Sequence, residues 1–497
     1  MNRVSASFSP RKPWAVLELD RRSAPCLIAS ADRLQSFDPA TGDLVANIAV
    51  SSISDVDSAI DSARTAFRST PWRNDGATRA RVLNRWAEAM RSHAEELAEL
   101  LTREQGKTIG QARGEVASSI SMIEYNAGLA RALYGRSLAL NDGVHGVILR
   151  EPVGVVAAIT PWNYPLNLTI RAVAPALAAG NAVIVKPASL TPAIVVQALS
   201  LLAVDQDIPD GIIAAVVGSG ATVGDRLVKS DHVEMIAFTG DSTTGINVMK
   251  HAADGLKKVS LELGGKSPNI VFADANLEKA LAGAENAVFS AAGQICTAGS
   301  RLVIEESIHD EFVERLAVRA KAMRVGDGLD ASTQMGPLVS AVQKKAVLGY
   351  VEIGRQDGTI VTGGTLLEDA PYDRGHFVEP TIVTDIAPDS RLIAEEVFGP
   401  VLAVQKFSTE EEAIAIANGT EFGLACGLWT TNLDRSWRVG RAVEAGTIWI
   451  NTYHHFYGET EVGGFKRSGV GRQQGIEGIL EFTETKHLNF DSNVNLF

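Results

Sequence analysis

The chain has 497 residues, of which 45% are apolar and 21% are charged, and its formal net charge is −13. This length exceeds what one hydrophobic core usually supports, so we expect two domains or more, and the ordinary composition excludes an intrinsically disordered chain. No block of five or more like charges occurs, and the acidic balance argues against a nucleic-acid partner.

The amino terminus carries Arg3, Arg11 and Lys12 but lacks the apolar segment of a secretory signal. No apolar run reaches the roughly 18 residues that a membrane-spanning helix needs. We therefore expect a soluble, cytoplasmic protein with no membrane partner.

Three cysteines, Cys26, Cys296 and Cys426, lie far apart in the chain. Their number and spacing argue against a disulfide framework and against a metal site of paired cysteines, so we expect no metal. A lone cysteine is usually a small buried apolar residue, and a catalytic role needs further support.

Apolar residues recur at helical spacing in two early segments. They predict a helix over 54–67, with a serine able to cap its first turn, and a longer helix over 81–101. The pattern then changes to short apolar runs separated by segments of helical length, at 153–159, 182–186, 212–217 and 235–238. Such runs are typical of strands buried on both faces, so they predict a parallel α/β sheet and a nucleotide-binding unit over 153–262.

A second series of strand candidates follows, which predicts a further α/β domain. The candidates are 269–272, 301–306, 381–384, 401–407 and 447–451. No internal repeat and no low-complexity segment is visible, which excludes a solenoid.

Three short segments carry residues that could do chemistry. Cys296 ends GQIC (293–296), and a cysteine nucleophile needs a base, a cation or backbone dipoles nearby because its thiol is mostly protonated at neutral pH. Glu262 lies in LELGGKSP (261–268), where apolar neighbours would raise its pKa toward that of a general base. The alternative for Glu262 is an outward-facing residue of an edge strand.

Asn163 lies in ITPWNYP (159–165), at the end of a predicted parallel strand, where ligands usually bind. Its amide could donate a hydrogen bond to a developing oxyanion. The alternative is an asparagine that only shapes the turn.

Taken together, these segments resemble the aldehyde dehydrogenase superfamily from about residue 35 to residue 490. The resemblance also includes PALAAGNAVIVKPAS (175–189), FTGDSTTG (238–245), EEVFGPV (395–401) and GGFKRSGVGR (463–472), all in the family's order. It implies an α/β fold with a Rossmann-type parallel-sheet NAD(P)-binding domain over 1–133 and 153–264. It further implies an α/β catalytic domain over 265–464 and a small β oligomerisation segment over 134–152 and 480–497, in a homodimer or homotetramer.

The resemblance implies oxidation of a small aldehyde with NAD or NADP. Cys296 would attack the carbonyl, the Asn163 amide and the Cys296 N–H would hold the oxyanion, and Glu262 would activate water to hydrolyse the thioester. Relatives that transfer the acyl group to coenzyme A usually lack this glutamate. An esterase with a vestigial cofactor site and a non-enzymatic binding protein are the alternatives, and the presence of all three residues argues against the second.

For the cofactor, the resemblance assigns Lys186 and Ser189 to the adenine ribose, Gly240 and its neighbours to the pyrophosphate, and Glu396 to the nicotinamide ribose. The Gly-rich segment lacks G-x-G-x-x-G, so this dinucleotide site rests on the resemblance alone. NAD-preferring relatives often carry a glutamate where this chain has neutral Ser189, which leaves NADP open. The full predicted set is Ile159, Thr160, Pro161, Trp162, Lys186, Ser189, Gly220, Gly224, Phe238, Thr239, Gly240, Asp241, Leu263, Glu396 and Phe398.

Two departures from the family pattern stand out. Asp241 replaces a serine beside the pyrophosphate, and we expect it to turn away and cap the following helix. Ala172 and Gln473 replace a lysine and a glutamate that help remove protons from the general base, so Glu262 would exchange its proton through water alone.

The residues at the positions that form the substrate funnel in this family are unusually polar here, which predicts a polar substrate. Arg171 would bind a substrate carboxylate, as in relatives that oxidise succinate semialdehyde, but the second arginine of those relatives is Ser290 here. Relatives that oxidise aromatic aldehydes also carry this arginine, so an aromatic aldehyde and an Arg171 paired with a structural carboxylate are the alternatives. We expect His454 to be a packed wall residue rather than a proton shuttle. The predicted funnel is Ser118, Tyr164, Asn167, Leu168, Arg171, Ser290, Ile295, Thr297, His454, Phe456 and Val462.

Overall fold

A computed structural model describes residues 14–30 and 32–492 of the chain. Its strands in chain order are β1 (Leu17–Leu19), β2 (Arg33–Phe37), β3 (Leu44–Ala49), β4 (Arg136–Asn141), β5 (Val144–Pro152), β6 (Val155–Ile159), β7 (Ala182–Lys186), β8 (Ile213–Ala215), β9 (Met235–Thr239), β10 (Lys258–Glu262), β11 (Pro268–Val271), β12 (Arg301–Glu305), β13 (Thr359–Thr362), β14 (Thr381–Thr384), β15 (Val401–Phe407), β16 (Phe422–Gly423), β17 (Ala425–Trp429), β18 (Thr447–Ile450), β19 (Phe465–Lys466), β20 (Gly469–Val470) and β21 (Thr483–Asp491).

The α-helices of the same residues are α1 (Ile53–Ser69), α2 (Gly76–Ser92), α3 (Ala94–Gln105), α4 (Ile109–Leu129), α5 (Pro165–Ala179), α6 (Pro192–Ala203), α7 (Asp225–Lys229), α8 (Ser242–Asp254), α9 (Leu277–Phe289), α10 (His309–Ala322), α11 (Ala341–Asp357), α12 (Arg391–Ala394), α13 (Glu410–Asn418), α14 (Leu433–Ala442) and α15 (Gly475–Glu481). Among these described helices, none has the length and apolar character needed to cross a membrane.

The first sheet contains the predicted strand runs in the order β20-β10-β9-β6-β7-β8. All neighbours are parallel except β20, which runs antiparallel to β10. Strands β6, β7 and β9 are buried along almost their whole length, as their continuous apolar runs predicted. Since β10 lies between β9 and β20, the edge-strand alternative for Glu262 is wrong.

The second sheet has the order β13-β14-β15-β12-β11-β17-β18, and only β13 is antiparallel to its neighbour. The predicted strands at 269–272, 301–306, 381–384, 401–407 and 447–451 all lie in it. Together the two sheets confirm the predicted α/β fold class. The sequence reading missed β17, a fully buried strand between β11 and β18.

A separate antiparallel sheet has the order β21-β5-β4 and is built from the predicted β segment. Residues 1–13 of the predicted first domain and 493–497 of this segment lie outside the described residues. Leu138, Leu140, Leu488 and Phe490 are exposed on its strands, so apolar surface is available for contact with another copy. The division into domains and the oligomeric role of this sheet remain predictions.

The predicted single helix over 81–101 is wrong, because two helices occupy that segment. Helix α2 ends at Ser92 and α3 begins at Ala94, and His93 between them has φ −107° and ψ 17°. Buried apolar residues continue on both sides of the break, at Met90 and Leu97, and this continuity hid the break in the sequence. The other early helix, α1, starts after Ser52, whose Oγ accepts a hydrogen bond from the Asp55 N–H at 3.2 Å.

Candidate active site

A cavity of about 530 Å³ lies where β6 and β10 end. Asn163 follows β6, Glu262 ends β10, and Cys296 lies in the loop between α9 and β12. All three line this cavity. So do all the predicted funnel residues, namely Ser118, Tyr164, Asn167, Leu168, Arg171, Ser290, Ile295, Thr297, His454, Phe456 and Val462.

The chain turns sharply just before Cys296. Ala291 and Ala292 have φ of 47° and 53°, and Gly293 has φ of 72°. A Cβ atom on Gly293 would lie 2.1 Å from the Gly399 carbonyl oxygen, so this position needs glycine. The turn places the Cys296 side chain in the cavity rather than in the core.

Burial raises the pKa of the Cys296 thiol to about 12. The guanidinium of Arg171 and the backbone N–H of Thr297 act in the opposite direction, while the Glu396 and Glu262 carboxylates raise this pKa further. The thiol is therefore protonated at neutral pH, and nucleophilic attack requires that it lose its proton to a base.

Glu262 has the properties of a general base. The residue is 4% exposed, and burial raises its pKa to about 6, against the lowering effect of Arg171 and Arg472. Its Oε1 is buried and has no hydrogen-bond partner among the described residues, while its Oε2 lies 3.9 Å from Arg171 Nη2. A carboxylate with this pKa is mostly ionised at neutral pH and can still accept a proton.

The Asn163 side chain points toward the cysteine loop. Its Nδ2 donates a hydrogen bond to the Gln294 carbonyl oxygen at 3.0 Å, two residues before Cys296. The amide carries a second N–H, which could serve an oxyanion. The Asn163 carbonyl oxygen accepts a hydrogen bond from Lys107 Nζ at 2.9 Å.

Lys107 and Glu115 were missed by the sequence analysis. Their side chains form an ion pair with Nζ 2.5 Å from Oε2, and both are fully buried. Glu115 also lines the cavity. In the sequence they are visible only as two opposite charges near the start of α4. Such charges usually lie on the exposed surface of a helix, so they did not indicate a buried pair.

Arg171 lies on α5 and is 7% exposed. Its Nε and Nη2 have no hydrogen-bond partner among the described residues, and the carboxylate in reach is Glu262. Arg171 therefore lines the cavity and does not turn away toward a structural carboxylate. Ser290, at the position of the second arginine of semialdehyde-oxidising relatives, donates a hydrogen bond to Asn286 at 2.7 Å.

His454 lies in the wall of the cavity. Its ring lies edge-on to Tyr453 and Trp449, with centroid distances of 4.8 Å and 5.8 Å, and it stacks on Phe456 at 6.3 Å. Burial lowers its pKa to about 4, so the imidazole is neutral at physiological pH.

The predicted adenine-ribose residues lie together beyond β7. Lys186 Nζ donates to the Pro187 carbonyl oxygen at 3.0 Å, and burial lowers the pKa of this ammonium to about 8. Ser189 Oγ donates to the Gly218 carbonyl oxygen at 3.1 Å. A Cβ atom on Gly224 would lie 3.8 Å from Lys186 Cδ, so the glycine segment faces the lysine stem closely.

Asp241 caps α8, as expected from the sequence. Its two carboxylate oxygens accept hydrogen bonds from the Thr244 N–H at 2.9 Å and the Thr244 hydroxyl at 2.6 Å. The preceding Gly240 N–H donates to the Glu262 carbonyl oxygen at 3.0 Å. The predicted pyrophosphate segment is thus tied directly to the strand that carries the candidate base.

The predicted nicotinamide-ribose residue, Glu396, approaches the site from the second sheet. Its Oε1 accepts a hydrogen bond from the Gly265 N–H at 2.9 Å, and burial raises its pKa to about 7. A Cβ atom on Gly264 would lie 2.4 Å from Glu396 Oε2, so a larger residue there would displace the Glu396 carboxylate. Trp162 and Phe398 meet edge to face at 5.2 Å, which brings predicted cofactor residues of both sheets into contact.

These features define the class: an α/β protein with a partly exposed thiol, a buried carboxylate and an amide in one cavity beside two mostly parallel sheets. The chain belongs to the aldehyde dehydrogenase family, whose model matches residues 28–488. The predicted family and enzyme class are therefore confirmed, and the chain is an oxidoreductase that acts on aldehydes.

Individual relatives agree over nearly the whole chain. A betaine aldehyde dehydrogenase of Bacillus subtilis (strain 168) is 42% identical over 465 residues, which cover 93% of this chain and 94% of the relative. The crystal structure of betaine aldehyde dehydrogenase from Staphylococcus aureus in complex with NAD⁺ has a TM-score of 0.91 and 35% identity, and covers 95% of each chain. The apo structure of a point mutant of that enzyme has a TM-score of 0.92 at the same 35% identity, and covers 94% of each chain.

Proposed function

We propose that this protein oxidises an aldehyde to the carboxylate with NAD or NADP, and that Cys296, Glu262 and Asn163 carry the chemistry. One observation supports this most strongly. A partly exposed thiol, a buried carboxylate with one oxygen that has no hydrogen-bond partner among the described residues, and a fixed amide donor line the same cavity. Each group alone has a structural explanation, but the three together meet the needs of thiol attack, oxyanion stabilisation and water activation.

In the first half of the reaction, the Cys296 thiol loses its proton to the Glu262 carboxylate, directly or through water. The sulfur then bonds to the aldehyde carbon, and the carbonyl oxygen becomes an oxyanion that the Asn163 amide and the Cys296 N–H stabilise. A nicotinamide cofactor, when bound, would supply the acceptor for the hydride that leaves the carbon as this oxyanion collapses. Cys296 is left as a thioester.

Before the second half, Glu262 releases the thiol proton to solvent through water and is ionised again. It then accepts a proton from a second water molecule as the oxygen of that water bonds to the acyl carbon. Asn163 stabilises the second oxyanion, the carbon–sulfur bond breaks, and the carboxylate product leaves. The proton on Glu262 must then reach solvent. Among the described residues Gln473 Oε1 is buried without a hydrogen-bond partner, and neither the Gln473 amide nor the Ala172 side chain can take up a proton, so water carries it.

The residues around the proposed cofactor site fit a dinucleotide. Within the part of the chain that the structure describes, Lys186 Nζ donates one hydrogen bond, to the Pro187 carbonyl oxygen, and it keeps donors for ribose hydroxyls or a phosphate. A Cβ atom on Gly220 would meet no atom within 4 Å, which leaves the glycine segment open beside it. The relative from Staphylococcus aureus binds NAD⁺, and Ser189 adds no negative charge that would repel a 2′-phosphate.

For the substrate, we propose a polar aldehyde that carries a carboxylate, such as a semialdehyde. Arg171 is buried, and its Nε and Nη2 have no hydrogen-bond partner among the described residues, although Glu262 Oε2 lies 3.9 Å from Nη2. A substrate carboxylate could accept hydrogen bonds from both nitrogens in a bidentate contact. Betaine aldehyde, the compound in the names of the relatives, is a cation that this guanidinium would repel. We therefore do not extend that substrate to this protein.

An aromatic aldehyde is the second candidate. The stacked rings of His454 and Phe456 on the cavity wall favour it, because a substrate ring could pack against them. The same reaction steps would apply to either substrate.

The test is an assay of the purified protein with semialdehydes, aromatic and aliphatic aldehydes and betaine aldehyde, each with NAD and NADP. Reduction of a cofactor by the wild type, abolished in Cys296→Ala, is expected. Full activity in that variant would contradict the mechanism. Ester hydrolysis by a protein that binds neither cofactor would instead establish the esterase alternative.

A further inference from the structure

Lys107 and Glu115 form their ion pair at the wall of the cavity, which Glu115 lines. Lys107 lies in the short loop between α3 and α4, and Glu115 lies on α4. Their charged atoms are 2.5 Å apart, and neither side chain is exposed.

Each partner also holds the backbone that follows β6. Lys107 Nζ donates to the Asn163 carbonyl oxygen at 2.9 Å and lies 3.5 Å from the centroid of the Tyr164 ring. Glu115 Oε1 accepts hydrogen bonds from the N–H groups of Leu166 and Asn167, both at 3.1 Å, in the first turn of α5. Both members of the ion pair thus bind the segment 163–167, Lys107 at its start and Glu115 at its end.

Stability alone is a weak explanation for this arrangement. Moving two charges from water into the interior costs several kcal/mol per ion, and well-packed apolar residues often replace buried ion pairs without loss. A pair of charges does fix geometry better than apolar contacts, because each hydrogen bond has a defined direction.

We propose that Lys107 and Glu115 are positioning residues that set the Asn163 amide at the distance and angle needed for the oxyanion. The inference rests on the proposed role of Asn163. This residue is held at two points, its carbonyl oxygen by Lys107 and its Nδ2 by the Gln294 carbonyl oxygen. Without the hydrogen bond from Lys107, the Asn163 peptide group can rotate about the remaining hydrogen bond to Gln294. This rotation moves the side-chain amide away from the reacting carbon.

The experiment measures two activities of each variant: aldehyde oxidation with cofactor and hydrolysis of p-nitrophenyl acetate without it. Both pass through an oxyanion, and the second does not depend on cofactor binding. Lys107→Met and Glu115→Gln are each expected to lower kcat by about 10²-fold, the cost of misplacing a reacting group by 1 Å, with little change in KM. A raised KM at unchanged kcat would contradict the inference.

Glu104→Gln is the matched control. Glu104 is another buried carboxylate that accepts two backbone hydrogen bonds in the first turn of a helix, from the N–H groups of Ala193 and Ile194 at 2.8 Å and 2.9 Å. It does not line the cavity. We expect Glu104→Gln to hydrolyse the ester at close to the wild-type rate. An equal loss of activity in Glu104→Gln and Glu115→Gln would contradict the inference, because it would mean that loss of any buried carboxylate bound to the first turn of a helix lowers activity.

A double-mutant cycle separates positioning from a general structural role. If Lys107 acts through Asn163, Lys107→Met should lower kcat little further in a protein that already carries Asn163→Ala. If the fold-losses in kcat of the two single variants multiply in the double variant, the inference is overturned. Wild-type activity in Asn163→Ala alone would instead refute the proposed function of that residue. If Lys107→Met does not fold, Glu115→Gln is combined with Asn163→Ala in the same cycle, and its two possible outcomes are interpreted in the same way.

Discussion

Arg171 and Glu262 lie side by side in the cavity, with Nη2 3.9 Å from Oε2, a distance that gives charge attraction without a hydrogen bond. The guanidinium lowers the pKa of Glu262 and also that of Cys296. One buried cation therefore acts on both groups that exchange protons, in a position where it also faces the substrate.

Removal of this cation should shift the pH dependence of turnover. In Arg171→Met, the lowering effect on Glu262 is lost, so its pKa rises above about 6. Because the reaction needs the ionised carboxylate, the rising part of the profile moves to higher pH. The measurement is kcat against pH with a neutral aldehyde. Arg113→Met, which removes an exposed arginine paired with Glu95, is the control, and an unshifted profile in Arg171→Met would contradict the argument.

The same variant tests the substrate proposal. Hydrogen bonds to a charged group contribute about 1.5–3 kcal/mol, so kcat/KM for a semialdehyde should fall about 10- to 100-fold in Arg171→Met. For an uncharged aldehyde of similar length, measured at the new optimum pH, the fall should be much smaller. Equal losses for both aldehydes would mean that Arg171 does not bind a carboxylate.

Glu262→Gln should lower kcat by about 10²- to 10⁴-fold, the usual contribution of a general base. The wild-type rate should rise with pH through about 6, since burial raises the pKa of this carboxyl to that value and only its ionised form accepts a proton. In the variant this rising part should disappear. Steady-state rates across the pH range check both outcomes, and a variant that keeps the same rise would assign the titration to another group.

The cofactor preference is tested at Ser189. A carboxylate placed there by Ser189→Glu would face the 2′-phosphate of NADP, and two like charges at 4 Å repel by about 4 kcal/mol in a protein-like dielectric. We expect the ratio of kcat/KM for NADP to that for NAD to fall by tenfold or more, a factor that about 1.4 kcal/mol would already give. Ser189→Gln has similar size without charge and should change the ratio much less. An unchanged ratio in Ser189→Glu would place the 2′ position elsewhere.

The sequence predicted most of the two sheets because strands buried on both faces have continuous apolar runs. It missed β17 because this strand, ACGLW, contains small residues that resemble a turn, and its burial depends on β11 and β18 on either side. The break at His93 was missed because buried apolar residues continue across it. These two errors have one cause, since local patterns do not record which neighbours supply the burial.

The site was predicted differently. Glu262 and Asn163 were each ambiguous in their own segments, and only the family resemblance placed them together with Cys296. The Lys107–Glu115 pair had no usable signal, because its partners at Asn163, Leu166 and Asn167 are remote in sequence and meet it only in the folded chain. Polar contacts made by tertiary structure were thus beyond a reading of the sequence.

Asp241 gives a prediction that separates stability from cofactor binding. Asp241→Ala removes the cap of α8 and should lower the free energy of unfolding by about 1 kcal/mol. Asp241→Ser keeps a capping oxygen but removes the negative charge, so we expect near wild-type stability and tighter binding of the anionic cofactor. Thermal melting without cofactor and fluorescence titration with NAD and NADP measure the two effects. If Asp241→Ser binds both cofactors no more tightly than the wild type, the aspartate does not oppose the pyrophosphate, and its carboxylate points fully toward Thr244 when cofactor is bound.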